Sequence, residues 1–417
     1  MEPSRRLEEF LAASDGEVER KIAERRAAGI DVINLTHVDS DQPPPELAVE
    51  RLCAVAAEAN PVRGAGGAPE LRSAVARWYQ SRFKTSLDPN REVLPLPSVE
   101  DGILGLAQAL LDPGDEALVP DPGRPAYRLA MSTVGARTID LPLRPEQDFL
   151  PELKAIPPDV VERARVLWLD YPAVPTGATA PAAFLHQVVQ FATEHSILVI
   201  HLADFSEFTY DGYRSISLLE IPGSRHVCVE LHSPAQTLHL AGWPVAVAVG
   251  NAEVLRLLRQ WRQSMGSMTF VPAQRALAEA LPMIGSEWFS KRNAVYQARR
   301  DRAITVLDHL GMHVRRPKAV PALWAATPPG YGSREIVAEF LQQVGILLAP
   351  GHWFGGRGEG YIRLSLTADD RLFDEAMRRL ERVSLPSRHM SSPAADSDDG
   401  PVAEPAIALG EEQEHAC

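Results

Sequence analysis

The chain has 417 residues, of which 45% are hydrophobic and 23% charged, and its formal net charge at pH 7 is -13. This length and composition are typical of a globular protein with one large domain and a smaller one. Seven acidic residues and no lysine or arginine follow His389, so the rest of the chain is only mildly acidic. The charge therefore argues against a nucleic acid or an anionic membrane as a partner.

The N-terminal segment and the cysteines bear on the location of the protein. The first 21 residues are polar and charged and lack the apolar stretch of a signal peptide. The longest apolar run, 238–250, contains His239 and Pro244 and is too short to span a bilayer. Three scattered cysteines have neither metal-ligand nor disulfide spacing. We expect a cytoplasmic protein.

Seven short apolar or β-branched runs predict the strands of a central sheet. Several of them, such as VLWL, ILVI and VAVAV, are apolar throughout, which is typical of strands covered on both faces. Helical patterns at Ser98–Leu111 and Ala180–His195 alternate with them, and this alternation predicts an α/β fold with an open, mostly parallel sheet. The predicted strands are Glu92–Leu96, Glu116–Pro120, Thr138–Leu143, Arg165–Asp170, Ile197–His201, His226–Leu231 and Val245–Gly250.

The two ends of the chain differ in pattern from the middle. Residues 1–45 predict a helix, a short strand at Ile30–Leu35 and a proline-rich turn. We expect residues 1–45 and 298–384 to form a smaller α+β domain beside a large domain that spans 46–297. Residues 385–417 have no periodicity and are rich in proline, serine and acidic residues, so they predict a disordered acidic tail.

Seven stretches, spread over most of the chain, share their motifs and their order with a known family. They are PELRSAVARWYQSRF (69–83), EVLPL (92–96), DPGDEALVPDPGRPAY (112–127), YPAVPTGA (171–178), SEFTYDGY (206–213), AGWPVAVAVGN (241–251) and PGHWFGGRGEGYIRLSL (350–366). From about Asp31 to Leu380 the chain resembles the class I/II aminotransferases of fold type I, especially the aspartate and LL-diaminopimelate enzymes.

The resemblance has implications for fold and assembly. It implies a large domain built on a mostly parallel seven-stranded sheet, a smaller α+β domain, and pyridoxal phosphate as the family's cofactor. Family members are usually homodimers with the active site at the subunit boundary. The family's cross-subunit tyrosine falls near 60–62, where this chain has no aromatic residue. A homodimer is therefore expected from the resemblance, and a heterodimer with an active paralogue is the alternative.

Positions that hold the cofactor in this family carry other residues here. The family's S-x-S-K-T motif, whose lysine forms an imine with the cofactor, corresponds to 233–237 and places Gln236 at the lysine position. A carboxamide nitrogen is not nucleophilic and cannot form that imine. The resemblance also places Pro244, Leu202, Val174, Phe205 and Arg124 at the family's other cofactor positions, and Val38 at a substrate-side glycine. On this ground no cofactor is expected.

Two residues match the family's pattern. Arg363 lies where the family's arginine holds the substrate carboxylate, and a planar guanidinium gives bidentate recognition of that group. Ser233 lies at the position of a phosphate-binding serine. A salt bridge between the domains is the alternative role of Arg363, and a hydrogen bond at the strand end is that of Ser233.

New polar residues surround the altered positions and suggest a general acid/base pocket, since histidine titrates near neutral pH. The candidates are Asp204, His232 and Gln236 for catalysis and Arg124, with Arg363, for substrate binding. For each single histidine, capping of a strand end or exposure to solvent is the simpler interpretation. A metal site is not expected, because His201 and Asp204 are three residues apart on a predicted strand and would face opposite ways.

Three hypotheses about function remain open from the sequence. The first is a catalyst or binder that acts without pyridoxal phosphate on a small molecule bearing a carboxylate. The second is a non-catalytic pseudoenzyme or partner subunit of an active aminotransferase. The third is a pyridoxal-phosphate-dependent class I/II aminotransferase that binds its cofactor in an unusual manner.

Overall fold

The computed structural model describes residues 16–58, 64–266 and 269–386. The predicted tail at 385–417 lies outside the described residues except for its first two positions, and so does the cross-subunit position at 60–62. No helix in the described part of the chain is both long and apolar enough to cross a bilayer.

The N-terminal half contains seven helices and six strands in the described ranges. The helices are α1 (Gly16–Ala27), α2 (Glu46–Ala56), α3 (Pro69–Phe83), α4 (Val99–Leu110), α5 (Pro125–Val134), α6 (Pro158–Arg163) and α7 (Ala182–His195). The strands are β1 (Ile33–Asn34), β2 (Val93–Leu96), β3 (Glu116–Asp121), β4 (Arg137–Pro142), β5 (Ala164–Asp170) and β6 (Leu198–Leu202).

The C-terminal half contains six helices and six strands among the residues described. The strands are β7 (Cys228–His232), β8 (Ala246–Gly250), β9 (Ala322–Ala326), β10 (Ile346–Leu347), β11 (Ala349–Pro350) and β12 (Tyr361–Ser365). The helices are α8 (Pro234–Thr237), α9 (Ala252–Ser264), α10 (Val271–Ala280), α11 (Ser286–His309), α12 (Ser333–Val344) and α13 (Asp370–Leu380).

The central sheet has seven strands in the order β2-β8-β7-β6-β5-β3-β4. Strand β8 is antiparallel to both of its neighbours, and the other pairs are parallel. Apolar clusters cover both faces, one formed with α3, α7 and α10 and the other with α4, α5 and α9. Burial on both faces explains why these strands are apolar throughout. The α/β prediction is confirmed, and each predicted strand of this sheet begins and ends within two residues of the observed one.

Another apolar cluster, separate from the two on the central sheet, packs around two smaller sheets. Strands β11, β12 and β9 form an antiparallel sheet, and β1 pairs in parallel with β10. Helices α11, α12 and α13 cover this part together with Val32, Ile33 and Leu35 from the N-terminal segment. The observed β1 is shorter than the predicted strand at Ile30–Leu35, because its partner β10 offers only two paired residues.

Candidate functional site

Strands β3, β5, β6 and β7 of the central sheet carry polar groups at or just beyond their carboxyl ends. Asp121 ends β3, Asp170 ends β5, and Asp204 follows β6 by two residues. In open α/β sheets, ligands bind outside the carboxyl ends of the strands. The candidate site is therefore this edge, together with the segments that face it.

Arg124 joins two carboxylates at this edge. It precedes α5, and its Nε donates to Asp170 Oδ2 at 2.6 Å while its Nη2 donates to Asp204 Oδ1 at 2.8 Å. The guanidinium also lies over the Phe205 ring, 5.6 Å from the centroid. Both carboxylate side chains are only 5% exposed. Arg124 is thus held by two buried carboxylates, and its charge is already compensated.

Burial controls the ionisation of this cluster. Desolvation raises the pKa of Asp170 to about 6, although Arg124 opposes the shift and Asp204 adds to it. Desolvation raises the pKa of Asp204 as well, again against the effect of Arg124. Burial alone would lower the pKa of Arg124, but the two aspartates raise it above its ordinary value. A proton shared between two close carboxylates titrates as a property of the pair.

Gln236 lies in α8, the single short helix that follows β7. Ser233 caps this helix, since its Oγ accepts a hydrogen bond from the Gln236 backbone N–H at 3.1 Å. The Gln236 side chain donates from Nε2 to Asp39 Oδ1 at 3.2 Å. The segment after β1 therefore meets the end of β7 through a hydrogen bond between an amide and a carboxylate.

Arg363 lies on β12, directly opposite Trp324 of β9. Its Nη2 donates to the carbonyl oxygen of Thr36, and its guanidinium lies 4.8 Å from the centroid of the Phe354 ring. The N-terminal segment thus carries both Asp39, which contacts Gln236, and Thr36, which contacts Arg363. This segment contacts one predicted catalytic residue, Gln236, and one predicted substrate-binding residue, Arg363.

The predicted histidines do not share a face with the arginine cluster. His201 and His232 point with Glu230 toward α3, where the His232 ring packs edge-on against Trp78 and Tyr79. Glu230 accepts hydrogen bonds from His201 Nδ1 at 2.8 Å and from the Tyr79 hydroxyl at 2.9 Å. Burial would raise the pKa of Glu230, but its bonds to the two histidines lower it below its ordinary value. This network lies in the core.

His239 lies in a third environment. Its ring packs against Phe208, Trp288 and Tyr296, and burial, together with the nearby Arg292, lowers its pKa to about 3. The ring is therefore neutral at physiological pH. Among the described residues, no group of His, Cys, Asp or Glu has the arrangement of a metal site.

Other predicted positions are apolar and closely packed. Leu202, Val174 and Phe205 are at most 4% exposed and belong to the apolar clusters. Pro244 is exposed just before β8. Val38 is partly buried and packs against the apolar cluster around the two smaller sheets.

Sequence analysis missed three polar residues of this region. Asp170 and Asp39 provide the partners of Arg124 and Gln236, and Glu230 organises the buried network. Asp170 could have been predicted as a site residue, because it lies at the end of a predicted parallel strand. For Glu230 the signal was a charged residue inside an apolar strand, since such a residue is buried only with partners.

Most of the chain matches a single family model. Residues 30–380 match the model described as aminotransferase class I and II. The chain belongs to this family. The resemblance predicted from the seven stretches is thereby confirmed.

Named relatives and solved structures agree with this assignment. The chain is 39% identical over 383 residues to an LL-diaminopimelate aminotransferase of Dehalococcoides mccartyi, covering 91% of this chain and 98% of the relative. It is 38% identical to the Moorella thermoacetica protein of the same name, covering 92% and 98%. Substrate-bound BacF from Bacillus subtilis superposes with a TM-score of 0.85 at 29% identity, covering 94% of this chain and 97% of that one. A probable N-succinyldiaminopimelate aminotransferase from Thermus thermophilus gives 0.83 at 29% identity, covering 90% and 100%.

These relatives overturn three predictions made from the sequence. Similarity to LL-diaminopimelate aminotransferases across nine-tenths of the chain indicates an active, pyridoxal-phosphate-dependent aminotransferase. The prediction of a catalyst or binder independent of pyridoxal phosphate was therefore wrong, and so were the prediction of a non-catalytic pseudoenzyme and that of no cofactor. Those predictions gave a few substituted positions more weight than the rest of the chain.

The side chains at the described site do not fit covalent attachment of pyridoxal phosphate. Gln236 offers a carboxamide bonded to Asp39, and Arg124 is neutralised by two aspartates. All five lysines of the chain are exposed or half-exposed, and none takes part in the contacts of Gln236 or Arg124 described above. Family membership therefore implies pyridoxal phosphate, whereas the side chains around Gln236 offer no amine that could bind it covalently.

Proposed function

We propose that the protein is an aminotransferase acting on a small amino acid or oxo acid that carries a carboxylate. The similarity to LL-diaminopimelate aminotransferases along nearly the whole chain supports this proposal. Pyridoxal phosphate is the cofactor that family membership implies, and the protein is expected to work as a cytoplasmic homodimer.

Arg363 is the residue proposed to bind the substrate carboxylate. The strand pair β9–β12 and the Phe354 ring hold its guanidinium beside the N-terminal segment. A bidentate pair between arginine and carboxylate fixes both the position and the orientation of the ligand. Gln236 and Asp204 are the proposed polar contacts on the other side of the substrate, from the edge of the central sheet.

The proposal is tested by amino transfer with the purified full-length chain. The protein is incubated with added pyridoxal phosphate, ¹⁵N-labelled glutamate and a panel of 2-oxo acids, and also with LL-diaminopimelate and 2-oxoglutarate. Mass spectrometry then follows the label into new amino acids, with the Dehalococcoides relative as the positive control. Labelled product is expected from at least one pair. No transfer from any pair, while the relative is active, would refute the proposal.

Variants of Arg363 test the carboxylate contact separately. Arg363→Ala is expected to raise KM for the carboxylate substrate by about 10- to 100-fold, because a charged hydrogen-bonded pair contributes about 1.5–3 kcal/mol. Arg363→Lys should recover part of that loss, since it restores the charge without the planar fork. Arg378→Ala, an exposed arginine paired with Glu375 on α13, is the matched control and should leave KM unchanged.

A further inference from the structure

A cavity of about 340 Å³ lies between the segment that follows β4 and the sheet that contains β9 and β12. Its lining residues include Asp148, Phe149, Thr176, Arg315, Trp324 and Tyr361. Its volume is within the range of about 300–1,000 Å³ that is usual for small-molecule sites.

Aromatic rings form one wall of the cavity. Trp324 and Tyr361 are stacked with their centroids 5.1 Å apart and their planes 6° from parallel. Phe149 meets Tyr361 edge-on at 6.4 Å. Trp324 and Phe149 are buried while Tyr361 is half-exposed, so the wall is rigid and partly accessible. Such a wall favours a flat ring, because aromatic pairs gain from offset or edge-on contact.

Thr176 and Arg315 bring hydrogen-bond donors to the cavity, whose other polar lining residues are Asp148 and His313. The Thr176 hydroxyl accepts from the Ala178 backbone N–H, which leaves its proton available to a ligand. Arg315 is paired with Asp148, but both side chains are more than half exposed. An exposed pair contributes only about 0–1 kcal/mol, so a ligand carboxylate competes readily for Arg315.

The cavity is distinct from the site built around Arg363 and Gln236. Trp324 and Arg363 are opposite each other on β9 and β12, but the Arg363 side chain extends to Thr36 and Phe354. Phe354 also packs edge-on against Trp324, so this ring separates Arg363 from the cavity wall. Neither Arg363 nor Gln236 lines the cavity, and Arg124 does not line it either. A ligand can therefore bind here without using the residues of the proposed aminotransferase function.

We propose that this cavity is a second small-molecule site, which binds a planar aromatic ring bearing a carboxylate. The ring packs against Tyr361 beside Trp324, and the carboxylate pairs with Arg315 at the rim. The Thr176 hydroxyl complements an oxygen acceptor on the ligand. The site is independent of amino transfer.

Titration of the full-length protein with three probes tests the proposal without any cofactor or amino donor. The probes are indole-3-carboxylate, its flat neutral analogue indole, and the non-planar cyclohexanecarboxylate, each followed by ligand-observed NMR and calorimetry. Saturable binding of indole-3-carboxylate is expected, at least about tenfold tighter than either control. No saturable binding, or equal binding of cyclohexanecarboxylate, would overturn the proposal.

Four variants assign the binding to this cavity. Arg315→Gln should weaken indole-3-carboxylate about tenfold, whereas Arg316→Gln, its equally exposed neighbour paired with Asp301, should change nothing. Asp148→Asn should tighten binding a few-fold, because Arg315 loses its competing carboxylate. Arg363→Ala should have no effect.

A filling substitution provides the second test of location. Ala326 lines the cavity on the same strand face as Trp324, so Ala326→Phe should fill the space and abolish binding. Circular dichroism and thermal unfolding check that this variant is folded. Loss of binding in Arg363→Ala together with full binding in Ala326→Phe would place the ligand at the other site and refute the assignment.

Discussion

Arg124 Nε donates to Asp170 Oδ2 at 2.6 Å, although the two residues are 46 positions apart, one just before α5 and the other at the end of β5. The same guanidinium reaches Asp204, so one buried cation serves two buried carboxylates. Breaking a buried ion pair from one side leaves uncompensated charge, which costs more than the pair contributes when it is intact.

Arg124→Gln is therefore expected to lower the free energy of unfolding by about 3–5 kcal/mol, because Asp170 and Asp204 lose their shared cation. Urea unfolding followed by circular dichroism measures this loss. Arg128→Gln, within the helix that Arg124 precedes and about one-third exposed beside Asp140, is the control, with an expected cost of about 0–1 kcal/mol. Equal losses in the two variants would contradict the role given to Arg124.

The pH dependence of stability should report Asp170. Its pKa in the folded protein is raised to about 6 by burial, against about 3.9 when unfolded, so the folded state holds the proton more tightly between these values. Stability from this group therefore falls as pH rises from about 4 to about 6, with a slope on the order of 1 kcal/mol per pH unit. Asp170→Asn should reduce this slope, and the part that remains belongs to Asp204, whose pKa burial also raises.

The measurement is urea unfolding of the wild type and of Asp170→Asn at several pH values, compared as a difference. Asp140→Asn, at a carboxylate that is about half exposed, is the control and should keep the wild-type pH slope. A wild-type stability that rises relative to Asp170→Asn across this window would reverse the predicted sign.

Removal of the Tyr79 hydroxyl, which donates to Glu230, is expected to lower the free energy of unfolding. Tyr79→Phe removes the donor to Glu230 Oε2 without changing the ring, and hydrogen bonds to charged groups contribute about 1.5–3 kcal/mol. The free energy of unfolding should fall by about that amount. Tyr361→Phe, whose hydroxyl takes part in none of the hydrogen bonds described, should cost less than about 0.5 kcal/mol. If Tyr79→Phe lowered the free energy of unfolding no more than Tyr361→Phe does, this bond would have no measurable part in stability.

Asp41 binds the segment that follows β1 to α11 through two side chains of that helix. It accepts a hydrogen bond from the Tyr296 hydroxyl at 2.6 Å and pairs with Arg299 at 2.9 Å, and both members of the ion pair are nearly buried. Asp41→Ala is expected to cost about 2–4 kcal/mol and to speed amide exchange in the segment that also carries Asp39.

Hydrogen–deuterium exchange of the full chain measures the exchange, and urea unfolding measures the stability. Asp374→Ala, at an exposed pair with Arg302, is the control and should cost about 0–1 kcal/mol with no change in exchange near Asp39. Unchanged exchange in Asp41→Ala would show that this segment is held by other contacts.

The sequence predicted much of the fold because the central strands are buried on both faces. Runs such as VLWL and ILVI are recognisable without any partner, since apolar patterning is a local property. Family membership could likewise be inferred from seven ordered stretches, and it was confirmed over 30–380. The two-residue strand β1 could not be predicted accurately, because its length depends on what β10 offers from the far end of the chain.

Pairing of polar groups was decided only by the tertiary structure. Arg124 was predicted to bind substrate, and its position in the sequence contains no sign that Asp170 and Asp204 neutralise it. His232 and Asp204 were predicted as one pocket, but the His232 ring packs against Tyr79 of α3, and Asp204, which lies beyond the end of β6, pairs with Arg124. Side chains on neighbouring strands meet or separate according to strand order, register and face, and these are fixed by long-range pairing of the whole sheet.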